Sequence, residues 1–368
     1  MNKSMNRRNF FKVAGAAAAV GTAAAMVPSA LASSMKTPVM KDAKGNGVYN
    51  EWDKLEAVIV GRTEGFAYPE LDWVLESYQG ISEEVKKSLR ESAGKTFEEV
   101  APEWYASSRD QQHALAEIMK QHGVKVVRPE IATAADAQFG VPGYSAMFER
   151  DNTLSIDDQV INTYCRTRGR RKTHPHLFEG VTAHVKETGQ THISMPQPSP
   201  TADLKDDAQP YIEGGDVFVL GKDILIGHAG IASSYAGIEW IRQHFEPKGY
   251  RIHTIEISNK FIHLDCIFMT PRSGLAVCHL DGVVGGCDGF PEFMKDWEFV
   301  NATYKEAKAM GCNGINLAPN KTVIGAEHIR IINELEKRGV ECVKLPYADA
   351  SAFGGGPRCS THPLKRQA

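Results

Sequence analysis

Four short segments concentrate the groups that could do chemistry. MFERDNTLSI carries Asp151 at the mouth of a β-rich run, and YIEGGDVFVLG places Glu213 and Asp216 around two glycines. KFIHLDCIFM holds His263 and Asp265 two residues apart, and SAFGGGPRCSTHPLKRQA sets three glycines ahead of Pro357, Arg358 and Cys359. Glycine lets a backbone turn tightly and approach a ligand closely, so the last stretch could present the Cys359 thiol to a substrate. If KFIHLDCIFM is a strand, His263 and Asp265 project from one face and Leu264 and Cys266 from the other. Each segment also has a structural reading: a cysteine packed as a small hydrophobe, a satisfied His–Asp hydrogen bond, a glycine turn, a surface Arg–Asp pair. Together they supply a nucleophile, a general base and several carboxylates. A nearby imidazolium lowers the pKa of a thiol and makes thiolate available for attack.

The carboxylates narrow the substrate. An ester or amide site needs donors for an oxyanion, not several anions beside the nucleophile. Clustered carboxylates suit a planar cation, and the guanidinium fork matches them two bonds at a time. A guanidinium carbon is a poor electrophile, so it must be held rigidly against the thiolate, and a covalent adduct then splits one hard substitution into two easier ones. The basic run CRTRGRRKTHPH, residues 165–176, reads as a solvated loop. Its alternative is that one arginine, Arg170, grips the carboxylate of an amino-acid substrate. No CxxC pair occurs and His174-Pro175-His176 is isolated, so neither a metal site nor a cofactor is expected.

Alternating strands and helices from Val48 onward must position these groups. ALAEIMKQHGVKVVRP, GIEWIRQHFEPKGYRIHTIEI and HIRIINELEKRGVECVKLPY each run helix, glycine, strand, with Gly123, Gly249 and Gly339 as C-caps. LSIDDQVINTY, DVFVLGKDILIG and INLAPNKTVIG each fold two β-rich runs around a polar turn. Such recurrence points to pseudosymmetric α/β modules around a centre, with a doubly wound sheet as the alternative. The glycines of LEAVIVGRTEGFAYPE have the wrong spacing for a dinucleotide fingerprint.

Residues 1–32 have a basic start, an Ala-rich stretch and an Ala30-Leu31-Ala32 end, the layout of an export signal. Arg7-Arg8-Asn9-Phe10-Phe11-Lys12 resembles a twin-arginine signal, whose export machinery carries folded proteins to the periplasm. Residues 33–46 read as a linker and 47–368 as one catalytic domain. Seven cysteines leave at least one thiol unpaired, and export after folding would keep most of them reduced. A net charge of -3 gives no reason to expect nucleic acid as a partner.

In this order the four segments resemble the guanidino-group-modifying enzymes, the amidinotransferases and arginine deiminases. NEWDKLEAVIVG and YAGIEWIRQHF resemble stretches of amidinotransferases. The resemblance implies a pentein fold, a five-bladed α/β propeller. It also implies Cys359 as nucleophile, His263 as acid and base, Glu213 and Asp265 holding the guanidinium, and Asp151 as a further contact, with Asp216 beside them. Two departures bear on the reaction: Glu213 stands where amidinotransferases usually have aspartate, and Pro357-Arg358 replaces an aromatic-His pair. The expected activity is amidino transfer from a small guanidino donor to an amine acceptor. Hydrolysis to a ureido product is the alternative, followed by a periplasmic binding protein for cationic amino acids and a non-catalytic pentein module. A homo-oligomer stays open.

Overall fold

A computed structural model describes residues 45–367. The export signal expected over 1–32 and nearly all of the linker lie outside the described residues. The strands in chain order are β1 (Leu55–Val60), β2 (Lys125–Val127), β3 (Thr153–Ile156), β4 (Gln159–Asn162), β5 (Thr191–Ser194), β6 (Val217–Leu220), β7 (Asp223–His228) and β8 (Arg251–Glu256). They continue as β9 (Phe268–Arg272), β10 (Leu275–Cys278), β11 (Glu298–Asn301), β12 (Ile315–Ala318), β13 (Lys321–Gly325), β14 (Glu341–Leu345) and β15 (Thr361–Arg366). They form five three-stranded sheets, β15-β1-β2, β3-β4-β5, β6-β7-β8, β9-β10-β11 and β12-β13-β14. In each sheet the first strand runs antiparallel to the middle one, and the third runs parallel to it. This repetition is the expected five-bladed pentein propeller.

Local chemistry builds each blade as the sequence predicts. In the four blades other than β15-β1-β2 the first and second strands join through tight turns, two of which place Asp157 and Asn320 at φ 58° and 60°. Such short polar side chains tolerate the left-handed region better than bulkier ones. The second and third strands are parallel and need a long crossover. In the blade β6-β7-β8 this is the helix Tyr235–Phe245, started by the Ser234 hydroxyl accepting from the Gly237 amide. Its inward face, Ile238, Ile241 and Phe245, packs on Ile224, Ile226 and Ile252 of the sheet. Gly249 closes the crossover at φ 80°, and Gly123 and Gly339 do the same at 75° and 77°.

Two expectations need correction. KFIHLDCIFM does not form a strand across its polar pair: His263 is extended and Leu264–Cys266 is a 3-10 turn ahead of β9. His263 and Asp265 therefore point to different partners. The basic run is no solvated loop either. Arg166 is buried, donating to the carbonyls of Ala232 at 2.9 Å and Leu204 at 3.3 Å. Arg168–Thr173 forms a 3-10 segment within the same wall. All seven cysteines are free thiols.

Candidate active site

The groups singled out above stand just before the first strand of a blade. Asp151 lies two residues before β3, Glu213 and Asp216 before β6, His263 and Asp265 before β9, and Cys359 two residues before β15. The fifth blade contributes Asn313, two residues before β12, which the residue types alone did not single out. Hydrogen bonds close these ends into a ring. The Gly215 amide donates to Asp151 Oδ1 at 2.8 Å and the Leu264 amide to Asp216 Oδ1 at 3.0 Å. Asn313 Nδ2 donates to the Asp265 carbonyl at 2.8 Å, the Cys359 amide to Asn313 Oδ1 at 2.9 Å, and the Arg150 amide to the Cys359 carbonyl at 3.1 Å.

On one side of the ring sits the thiol. Cys359 Sγ lies 3.3 Å from Asp265 Oδ2 and accepts from Asn313 Nδ2 at 3.1 Å. Asn313 Oδ1 also accepts the Gly356 amide at 3.1 Å, so one side chain orders the glycine loop and touches the sulfur. Two of the loop glycines are constrained by space, since a Cβ on Gly355 would lie 2.5 Å from the Phe148 ring and one on Gly356 2.9 Å from Asn313, while Gly354 is favoured by its φ of 94°. Arg358 backs the nucleophile. Its guanidinium lies 3.7 Å over the Phe218 ring, donates to Asp265 Oδ2 at 3.1 Å, and reaches Glu51 at 3.2 Å.

The imidazole sits on the same blade end as Asp265. His263 Nε2 meets Glu213 Oε2 at 2.9 Å, and Nδ1 lies 3.7 Å from Asp151 Oδ1. Burial disfavours its charge, but Asp151, the Glu213 hydrogen bond and Asp216 outweigh it and push its pKa up to about 10. Glu213 is buried too, yet His263 and Arg170 hold it down to about 2. Cys359 goes the other way: burial, then the charges of Asp265 and Asp151, hold the thiol well above its usual range. The resting pair is thus neutral thiol and imidazolium, and the expected thiolate does not arise from the protein alone.

Asp216 uses its carboxylate on the Ser233 hydroxyl at 2.6 Å and the Leu264 amide, and burial raises its pKa to about 7. Through these two bonds Asp216, expected to contact the substrate, also positions the His263 turn. The guanidinium of Arg170, expected to grip a substrate carboxylate, is bound to Asp151 and to Glu213 Oε2, the latter at 3.0 Å. Asp151, Glu213 and His263 each offer an atom within 4.8 Å of the others. A metal ion there would have to displace both the Arg170 guanidinium and the imidazole from these carboxylates.

The pentein fold is shared with solved structures of amidinotransferases and of an arginine dihydrolase. Curated relatives are amidinotransferases. The L-arginine:L-lysine amidinotransferase of Pseudomonas savastanoi pv. phaseolicola is 24% identical over 359 residues, spanning 87% of this chain and 94% of its own. Inosamine-phosphate amidinotransferase 1 of Streptomyces glaucescens is also 24% identical, over 87% and 96% of the two chains. Among solved structures, the amidinotransferase SxtG of Microseira wollei superposes with a TM-score of 0.72 at 21% identity, covering 88% and 97%. The N-terminal domain of ArgZ, a cyanobacterial arginine dihydrolase, follows at 0.61 and 13%, covering 84% and 98%. No protein-family profile matches the chain.

Proposed function

We propose that this protein is a cysteine-dependent amidinotransferase acting on a small guanidino donor and an amine acceptor. The observation that carries the reading is the hydrogen-bonded ring of blade ends, which gathers the Cys359 sulfur with Asp265 and Asn313, and His263 with Glu213 and Asp151. Similarity to amidinotransferases over most of the chain supports it.

The geometry gives the steps. A guanidinium that extends from the Asp151–Glu213 pair to Asp265 brings positive charge up to the Cys359 sulfur, which Arg170 at rest does not, so substrate binding lowers the thiol pKa. The thiol gives up its proton to solvent as its pKa falls, and the resulting thiolate attacks the guanidinium carbon and forms a C–S bond. Protonated His263 gives its proton to the alkyl nitrogen, the C–N bond breaks, and a neutral amine departs, leaving an amidino group on Cys359. An incoming amine loses a proton to His263, attacks the same carbon, and releases the thiolate. Arginine as donor would yield ornithine. Hydrolysis is the second reading, favoured by Glu213 where amidinotransferases usually carry aspartate. A binding protein has no use for a thiol ordered by two hydrogen-bonded neighbours.

Incubation with labelled arginine, with and without glycine, lysine or other amines, tests the reading. Ornithine plus a new guanidino compound supports transfer, and citrulline plus ammonia means hydrolysis. No turnover over a broad guanidino panel would refute both. Periplasmic location by twin-arginine export is a separate proposal, supported by Arg7-Arg8 and the Ala30-Leu31-Ala32 sequence. Mass spectrometry of the exported protein, showing cleavage after Ala32, would support it; an intact cytoplasmic chain would refute it.

A further inference from the structure

We propose that Arg170 is an internal stand-in for the substrate: its guanidinium closes the carboxylate clamp at rest, and a guanidino ligand must displace it to reach Cys359. The proposal rests on the guanidino reading above and adds the residue that sets access and selectivity.

Three observations converge on it. The clamp is already holding the kind of group it is proposed to bind, since the Arg170 guanidinium spans Asp151 and Glu213. The reacting groups are shut off, with Cys359 4% and His263 3% exposed, while the Arg170 side chain is 20% exposed and is the part of the cluster that meets water. Finally, charge enforces exchange. Asp151 and Glu213 face two cations, His263 and Arg170, and a third cation entering beside them would be buried without a counter-charge, which is costly. Exit of Arg170 as the substrate enters leaves the charge count unchanged.

The surroundings let the side chain move while its backbone stays. The Arg170 carbonyl accepts from Asn152 Nδ2 at 2.7 Å, fixing the segment. Neighbouring Arg168 and Arg171 are committed to backbone carbonyls, of Ala202 and of Cys165 and Arg166. Displacement also selects. A guanidinium can replace both contacts of Arg170 with a planar fork, whereas an ammonium offers one compact, strongly hydrated charge. The plug therefore discriminates against lysine-like amines at the donor position.

Calorimetric titration on a Cys359→Ser background, which blocks turnover, tests this with methylguanidine, arginine and methylammonium. Removing the plug in Arg170→Ala should tighten methylguanidine binding by roughly tenfold for a clamp open about a tenth of the time. It should also narrow the preference over methylammonium. Arg170→Lys, which keeps the charge but not the fork, should fall between the two and serves if the alanine variant does not fold. Unchanged methylguanidine affinity in the variants overturns the plug, and so does weakened arginine binding alone, which would make Arg170 a grip on the substrate carboxylate. Failure of every variant and the parent to bind any guanidino compound would overturn the functional reading as well.

Discussion

Replacing Asp265 by asparagine should make Cys359 more reactive and the enzyme less active. The sulfur lies 3.3 Å from Asp265 Oδ2, and forming a thiolate there sets two anions side by side. At an effective dielectric of about 20, that repulsion is about 5 kcal/mol, an upper bound because Arg358 sits 3.1 Å from the same oxygen. Loss of even half of it would lower the thiol pKa by about 1–2 units, and the thiolate fraction at neutral pH would rise roughly 10- to 100-fold. Asparagine keeps the shape and a hydrogen bond to the sulfur. Turnover should nonetheless fall, because the carboxylate that we propose helps hold the substrate cation is gone. The assay is the rate of iodoacetamide alkylation at pH 7.5, read by peptide mass spectrometry so that the exposed Cys287 is scored separately. Alkylation of Cys359 that is unchanged or slower in Asp265→Asn would refute the electrostatic account of the resting thiol.

Other consequences follow from the same ring. Asn313→Ala should unpair the buried Cys359 and Gly356 amides and the sulfur contact, at about 1–3 kcal/mol per unmade bond, and lower kcat roughly 10- to 100-fold. An intact kcat would remove Asn313 from the machinery. In Gly215→Ala the new Cβ would stand 2.6 Å from His263 Nδ1 and 2.9 Å from Asp151 Oδ1, so activity should fall roughly 100-fold, as for a ~1 Å displacement of a reacting group. A fully active Gly215→Ala enzyme would mean that His263 is not where turnover needs it. The pH profile of kcat/KM should rise through neutrality, because the free thiol deprotonates late while His263 keeps its proton to about 10. A profile peaking below pH 7 would contradict both shifts.

Much of this architecture was legible in the residues. Paired β-rich runs around polar turns and the helix–glycine–strand segments are local patterns, and they became parts of four of the five blades because their turns and caps are set by nearby residues; β9-β10-β11 matched none of them. The charged rim was legible by type. Asn313 was not, since an amide in GCNGINL carries no charge and reads as a turn; counting back from the start of each blade would have found it. The His263–Asp265 pair misled because polar–apolar alternation over a few residues imitates a strand, while the Asp216 contact to the Leu264 amide holds a 3-10 turn. The basic run misled for a related reason. Its partners, Ala202, Glu213 and Ala232, lie 34, 43 and 66 residues away from the arginines they bind. Local composition cannot show such pairings.

The most direct test is the mass of the trapped covalent intermediate. Acid quenching during turnover with arginine, followed by peptide mapping, should find Cys359 carrying a bare amidino group, the donor's alkyl amine having left first. A Cys359 adduct that retains the arginine side chain and has lost ammonia would contradict transfer and mean hydrolysis. No adduct on Cys359, with turnover intact, would contradict the chemistry at its root.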